Sequence, residues 1–145
     1  MKRLIRASED EEIYSILRGY KYLVIGGPSG DYMGDYDEGL AEYYSQPAPK
    51  DLRTNSPKEA IQKWLDIESK YPMDAAIMTN YPEYAQEVCQ WVVDNEPEFR
   101  RMYDSSNCHY KYDYIYNGAV KYSNKVQCNI KYKDMADQIF PFCYG

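Results

Sequence analysis

The sequence predicts an α+β domain: about three main helices packed on an antiparallel sheet dominated by a C-terminal hairpin, 108–116 against 119–132. Three observations lead there. Helix-capping signatures introduce apolar residues at helical spacing. Short apolar runs end in glycine and proline, as strands do. From Cys108 to Tyr132 apolar and polar residues alternate over a long stretch, which is the periodicity of a half-buried strand.

The elements follow in order. Ser8 with Glu11 forms a capping box, and Ile13, Ile16, Leu17 and Tyr20 recur at helical spacing with Gly19 as the stop, so a helix is expected over 9–18. "KYLVI" (21–25) is a β run ended by Gly26-Gly27-Pro28. Residues 26–56 carry five glycines (Gly26, Gly27, Gly30, Gly34, Gly39) and three prolines (Pro28, Pro47, Pro49). They read as a long irregular acidic loop, with one helical turn at "GLAEYY". A loop of that length is uncommon in a compact domain unless it is functional or mobile. Ser56, Pro57 and Glu59 then open a helix with a buried stripe of Ile61, Trp64, Leu65 and Tyr71, ended by Pro72. "DAAIMT" (74–79) reads as a buried strand. Asn80 with Glu83 opens the next helix, which carries Tyr84, Ala85, Val88, Cys89, Trp91 and Val92 and stops before Pro97. "PEFRRMY" fits a further short helix, and both tryptophans are expected in the core.

In the alternating stretch, even positions hold Cys108, Tyr110, Tyr112, Tyr114, Tyr116, Val120, Tyr122, Val126, Cys128, Ile130 and Tyr132. Odd positions hold His109, Lys111, Asp113, Lys121, Ser123, Lys125, Gln127, Asn129 and Lys131, with Ile115 and Ala119 as apolar exceptions. A two-residue turn at Asn117-Gly118 would set Tyr114 opposite Lys121 and mix the faces. A three-residue loop, Tyr116–Gly118, instead sets Tyr114 opposite Val120 and Tyr112 opposite Tyr122, with Gly118 in a glycine bulge. The expectation is therefore a hairpin whose tyrosine–valine face lies under the helices.

A chain of 145 residues fits a single domain, 1–145, able to bury about 68–70% of its unfolded surface. Mean hydropathy is -0.76, low partly because 18 tyrosines outnumber 3 phenylalanines and 2 tryptophans. Tyrosine rings still fill cores when the hydroxyl finds a partner. No apolar run approaches the roughly 18 residues of a membrane span. "MKRLIRASEDEE" has no apolar core of the kind a signal peptide needs. A cytosol is therefore the expected compartment, with Cys89, Cys108, Cys128 and Cys143 reduced. In an oxidising compartment they would allow three pairings.

Net charge is -6, and the charges are segregated. Residues 7–49 hold nine acids and two bases, a net of -7. Residues 73–99 hold six acids and no Lys or Arg, a net of -6. Residues 105–133 hold five lysines and one acid, a net of +4. Acidity over most of the chain repels nucleic-acid phosphate and favours a basic partner.

Catalytic signals are sparse. His109 neighbours Cys108, but adjacent side chains on a strand face opposite ways, so they do not form a dyad there. The cysteines are 19, 20 and 15 residues apart with one histidine, unlike the close ligand pairs of zinc sites. "VIGGPSGDYMGDYDEG" matches neither glycine-rich phosphate motif, Pro28 removes an N–H, and Asp31, Asp35, Asp37 and Glu38 repel an anion. Those carboxylates do not follow the calcium-loop pattern. Alternation places the 105–133 lysines and tyrosines on opposite faces, against a combined base-stacking and phosphate-binding strip. No catalytic residue, metal or cofactor is assigned.

"MKRLIRASED" resembles the starts of small accessory proteins of phages and mobile elements of gut Firmicutes. In size, acidity and tyrosine content the chain is similar to anti-defence proteins, CRISPR inhibitors among them. That group has no common motif, so the resemblance carries over no residue. It implies a non-enzymatic inhibitor of a basic bacterial protein, such as a CRISPR or other defence nuclease, that contacts neither nucleic acid nor membrane directly. The expected partner-binding residues are Asp31, Tyr32, Asp35, Tyr36, Asp37, Glu38, Glu42, Tyr43 and Tyr44, mixing acids with aromatic anchors. The other readings are a small enzyme or ligand-binding domain with a pocket under the 26–56 loop, and a structural subunit of a larger assembly.

Overall fold

The structure, a computed structural model, describes residues 17–28, 51–70, 73–124, 131–132 and 136–138. Its elements are β1 (Tyr22–Pro28), β2 (Leu52–Thr54), α1 (Pro57–Glu68), β3 (Met73–Thr79), α2 (Pro82–Asp94), α3 (Glu96–Asp104), α4 (Tyr112–Ser123), β4 (Lys131–Tyr132) and β5 (Ala136–Gln138). The fold is α+β. The strands form one sheet in the order β2-β1-β3-β5-β4, and every neighbouring pair is antiparallel.

β1 and β3 are the longest described strands and lie centrally, with Leu23 opposite Met78, Val24 opposite Ile77 and Ile25 opposite Ala76. Strand alternation gives them two apolar faces. Tyr22, Val24, Ala75 and Ile77 join the helices in the main core. Leu23, Ile25, Ala76 and Met78 point the other way and are also buried, so the near-continuous apolar runs fit strands covered on both sides.

β1 runs on through Gly26 and Gly27 to Pro28, past the expected stop, and β2 takes residues 52–54. Both ends of the expected 26–56 loop are therefore strand. Of the helix expected over 9–18, residues 9–16 lie outside the described residues. Leu17 is helical and buried, and Arg18 and Gly19 turn the chain with φ of 50° and 83°. Glycine at such a position ends a helix without steric cost.

α1 starts where its signals place it. The Ser56 side chain accepts from the Glu59 N–H at 3.2 Å, and Pro57 fills the first turn. In a capping box Glu59 would bond back to the Ser56 N–H. Here the Thr54 hydroxyl stands between them, accepting from Ser56 N at 3.0 Å and donating to Glu59 Oε1 at 3.2 Å. That links the end of β2 to the start of α1. Ile61, Trp64 and Leu65 are fully buried. Trp64 Nε1 donates to the Ala75 carbonyl at 3.0 Å, which ties α1 to β3.

α2 begins one residue later than expected. Tyr81 is its N-cap, without a side-chain cap bond, and Pro82 enters the first turn. Asn95 ends α2 and starts α3, its Nδ2 donating to the Trp91 carbonyl at 3.0 Å. The break is the one Pro97 demands, because proline cannot donate back into a continuing helix. Trp64 is core, as expected, whereas Trp91 is only half-buried.

The C-terminal hairpin is overturned. Residues 112–123 are a helix, and Tyr116, Asn117 and Gly118 lie in its middle rather than in a loop. Among the described residues the sheet is built mainly from β1 and β3, and the C-terminal part adds the short β4 and β5. Ile115 and Ala119, the two apolar exceptions to strand alternation, are the fully buried residues of α4. With Tyr112, Tyr116 and Val120 they make an i, i+3, i+4, i+7, i+8 stripe. Tyr112 and Tyr116 stack one turn apart, 5.7 Å between centroids and 9° between planes. Asp113 in the first turn and Lys121 in the last complement the helix dipole. α4 packs on α2: Gln86 Nε2 donates to the Ser123 carbonyl at 3.0 Å, and the Tyr122 hydroxyl to the Pro82 carbonyl at 3.3 Å.

Candidate protein-binding face

At one end of the sheet β1 begins and β3 finishes. Tyr20 lies two residues before β1 and Tyr81 two residues after β3. Tyr20 is 45% exposed and Tyr81 is 43% exposed. Tyr81 meets Tyr84 edge-on at 5.4 Å, and Tyr84 meets Tyr22 at 6.5 Å. This chain of rings runs from solvent into the core. Tyr22 is fully buried and donates its hydroxyl to the Tyr84 carbonyl at 2.8 Å. Burial, with Glu87, Cys89 and Tyr84 nearby, holds the Tyr22 hydroxyl far above its ordinary pKa of 10.0. Thr79 Oγ1 and Asn80 Oδ1, buried at the end of β3, make no hydrogen bond.

The acidic side of this face comes from α2. Ala85, Val88, Cys89 and Val92 turn inward. Glu83, Glu87, Gln90 and Asp94 are exposed, and their i, i+4, i+7, i+11 spacing lines them along one stripe. At 1.5 Å per residue the stripe is about 16 Å long. Residues 82–94 contain no Lys or Arg. Lys21 reaches in from the start of β1, with Nζ 3.2 Å from both Glu87 oxygens and 4.9 Å from the Tyr84 ring centre. Chemically the face is a row of hydrated carboxylates beside accessible phenol rings. Such a surface attracts Lys and Arg and stacks on a guanidinium.

A second polar constellation lies at the C-terminal end of α1. Glu68 is buried, with 1% of its surface exposed. Its Oε2 accepts the Ala75 N–H at 2.7 Å, and its Oε1 lies 3.4 Å from His109 Nε2. His109 Nδ1 is 3.2 Å from the Glu68 carbonyl oxygen, and its ring stacks on Tyr110 at 4.6 Å. Residues 107–109 are irregular rather than strand, so Cys108 and His109 are not assigned to opposite faces of a sheet. Both histidine nitrogens face Glu68 oxygens instead of a thiol.

A third lies where α3 meets α4. The Tyr112 hydroxyl donates to Glu96 Oε1 at 2.6 Å, Arg100 Nε is 3.3 Å from the same oxygen, and the guanidinium sits 3.9 Å above the Tyr112 ring. The bond from Tyr112, then Arg100, holds the Glu96 carboxyl below its ordinary value, against partial desolvation. Desolvation first, and the bond to Glu96 second, raise Tyr112 far above the ordinary tyrosine value. The Tyr103 hydroxyl donates to the Tyr110 carbonyl, and burial raises its pKa too.

The expected partner-binding residues Asp31, Tyr32, Asp35, Tyr36, Asp37, Glu38, Glu42, Tyr43 and Tyr44 lie outside the described residues. The second acidic zone, 73–99, supplies the face seen here; Tyr81 was not singled out as a site residue by sequence, and Tyr20, read there as part of a helical apolar stripe, is outside a helix and 45% exposed. Glu68 was missed as well, yet it sits i+7 from Ile61 and i+4 from Trp64, on the buried stripe of α1. A carboxylate in that position demands a partner. Among the described residues no three His, Cys, Asp or Glu side chains cluster closely enough to hold a metal ion, and no helix is long and apolar enough to cross a membrane. Cys89 is buried and Cys108 is half-buried. Comparison with protein-family models, curated proteins and solved structures finds no match.

Proposed function

We propose that the chain is a non-enzymatic protein-binding inhibitor that acts in a bacterial cytosol. Its acidic, tyrosine-bearing surface occupies the nucleic-acid-binding groove of a basic effector, as an anti-defence protein directed at a CRISPR or other defence nuclease would. The observation that carries this reading is the solvent face of α2, where Glu83, Glu87 and Asp94 stand in line with no basic residue on the helix and Tyr81 at its head. Carboxylates in a row present negative charge at regular intervals, as a phosphate backbone does, and steer a basic groove toward them. Tyr20 and Tyr81 supply ring area at low entropic cost. The expected loop residues between 31 and 44 extend the same chemistry.

The test is capture of the effector from a bacterial lysate, followed by binding measurements on the purified pair. Affinity should fall as salt rises, and single-stranded nucleic acid should compete. Affinity that stays flat from low to high ionic strength, or a ternary complex with bound nucleic acid, would overturn the reading. Glu83→Lys combined with Asp94→Lys should weaken binding by tenfold or more, about 1.4 kcal/mol, with the fold intact because both side chains are exposed.

A further inference from the structure

On the reading that the exposed face of α2 receives a basic protein, we propose that Tyr84 and Glu87 form the seat for one of its arginines, and that Lys21 fills this seat in the free protein. The seat is recognised by the cation already in it. Lys21 Nζ is 3.2 Å from both Glu87 oxygens and 4.9 Å from the centre of the Tyr84 ring. The carboxylate supplies charge, and the face of the phenol ring supplies an attractive surface for a cation that has lost part of its water. Tyr84 and Glu87 stand at i and i+3 on α2, so they are neighbours on one side of the helix.

The seat is held from behind. Tyr84 is half-buried, and its ring stands edge-on to Tyr81 at 87° and to Tyr22 at 71°. Buried Tyr22 donates its hydroxyl to the Tyr84 carbonyl at 2.8 Å. Ring contacts and main chain therefore fix the seat independently of the lysine. The occupant is held less firmly. The Lys21 main chain is anchored, its N–H donating to Asn55 Oδ1 at 2.9 Å. Its ammonium, however, hangs on a flexible stem in a pair whose side chains are 35% and 47% exposed. Ion pairs that wet hold weakly. Rotamer changes alone carry the ammonium away, with β1 and the Asn55 contact undisturbed.

The same chain shows which cation suits this pairing. At the α3–α4 junction Glu96 and Tyr112 make a second ring-and-carboxylate seat, and Arg100 occupies it. Its guanidinium sits 3.9 Å above the Tyr112 ring, with Nε 3.3 Å from Glu96 Oε1. Lys21 Nζ stays 4.9 Å from its ring. A flat guanidinium lies on a ring while its edge turns to a carboxylate, whereas an ammonium is compact and strongly hydrated. Glu87 offers both oxygens, which match the guanidinium fork. A partner's lysine would exchange one ammonium for another. An arginine adds the fork and the stack, so Lys21 also selects against lysine. Glu83 and Asp94 on the same stripe, with no Lys or Arg in 82–94, attract the incoming charge.

Hexa-arginine and hexalysine peptides test the seat without the natural partner, by titration calorimetry on the full chain at low salt. Glu87 is exposed and Lys21 half-buried, so Lys21→Met, Glu87→Gln and the double variant should keep the fold. Lys21→Met opens the seat and should tighten hexa-arginine binding about threefold or more, the worth of an exposed cation–ring contact. In the Glu87→Gln background the same change should bring little gain, because the seat has lost its carboxylate. With Asp94→Asn instead, which removes a charge but leaves the seat, the gain should persist. A gain from Lys21→Met that is equal with and without Glu87 comes from charge alone. It overturns the seat and leaves the acidic-face reading standing. Equal gains for hexa-arginine and hexalysine overturn the assignment to arginine. If neither peptide binds any of these proteins even at low salt, the acidic-face reading fails and the seat fails with it.

Discussion

Two groups of tyrosines use the same side chain for opposite ends. At the α3–α4 junction, Tyr103 and Tyr112 donate their hydroxyls to Tyr110 and Glu96, and Tyr112 is in ring contact with Phe99, Tyr103 and Tyr116. At the end of the sheet, Tyr20 and Tyr81 leave over two-fifths of their surface in water. A tyrosine whose hydroxyl is placed and whose ring is covered acts as scaffold. One with an open ring beside carboxylates is available to a partner. The distinction rests on hydroxyl partners and burial, which composition does not reveal.

The largest expected effect breaks the scaffold side. Ile115 is 1% exposed in α4. Ile115→Ala should cost about 3 kcal/mol of unfolding free energy, the usual result of emptying a core site of that size. Were residues 108–132 a hairpin, Ile115 would sit on the lysine-bearing face, and the loss would stay within about 0.5 kcal/mol. Denaturant unfolding of this variant separates the two architectures.

The next effect is smaller and isolates one bond. Tyr112→Phe keeps the ring over which Arg100 sits and removes the hydroxyl that donates to Glu96. It should cost about 1 kcal/mol, the typical worth of a partly buried hydrogen bond. The same bond sets a pH signature. The folded Glu96 carboxyl lies below its ordinary value of 4.5, so its contribution is present above that value and is lost as pH falls through the lower, folded one. Acid unfolding should therefore begin at higher pH in Tyr112→Phe. The alkaline side has the opposite sign. Tyr22 and Tyr112 are raised above 10.0, so their contribution is full below pH 10 and declines as pH rises toward their folded values. Phenolate absorbance should show these two ionising only as the protein unfolds.

The legible parts of the fold are those where several local signals agree. α1 had a capping serine, a first-turn proline and an apolar stripe, and Pro97 marked the break between α2 and α3. α4 was illegible because its signals disagreed. Tyrosine is half apolar and half polar, so four of them at alternate positions imitate a strand face. Asn117-Gly118 imitates a turn, although a glycine inside a helix costs only about 1 kcal/mol. Lys111 offers no capping side chain to announce the helix. Only Ile115 and Ala119, four residues apart, carried the helical period. For the candidate face, the acidity of 73–99 was readable, but the exposure of Tyr20 and Tyr81 depends on strand register, a long-range quantity. The Glu68–His109 contact spans 41 residues and has no local signature beyond a charge on a buried stripe.

On the available side, stability and binding should come apart. Tyr81→Ser should change unfolding free energy by no more than about 0.5 kcal/mol, because 43% of the residue is exposed. If Tyr81 anchors a partner, the same change should cost more than about 1 kcal/mol of binding. Equal small effects on both would remove Tyr81 from the interface while leaving the acidic stripe to be judged by salt dependence.

The smallest effect concerns Lys21. Its ion pair with Glu87 is 35% and 47% exposed on the two sides, and pairs that wet are worth about 0–1 kcal/mol. Lys21→Met keeps most of the stem that lies over Tyr84 and removes the charge, so stability should barely move. Binding should move the other way from every other variant on this face. Without the ammonium, Glu87 is no longer neutralised and the stripe from Glu83 to Asp94 becomes more negative. A basic partner should then associate faster at low salt, and the gain should disappear once salt screens the face. Slower association would mean that Lys21 itself touches the partner, and the acidic stripe would then be only part of the binding surface.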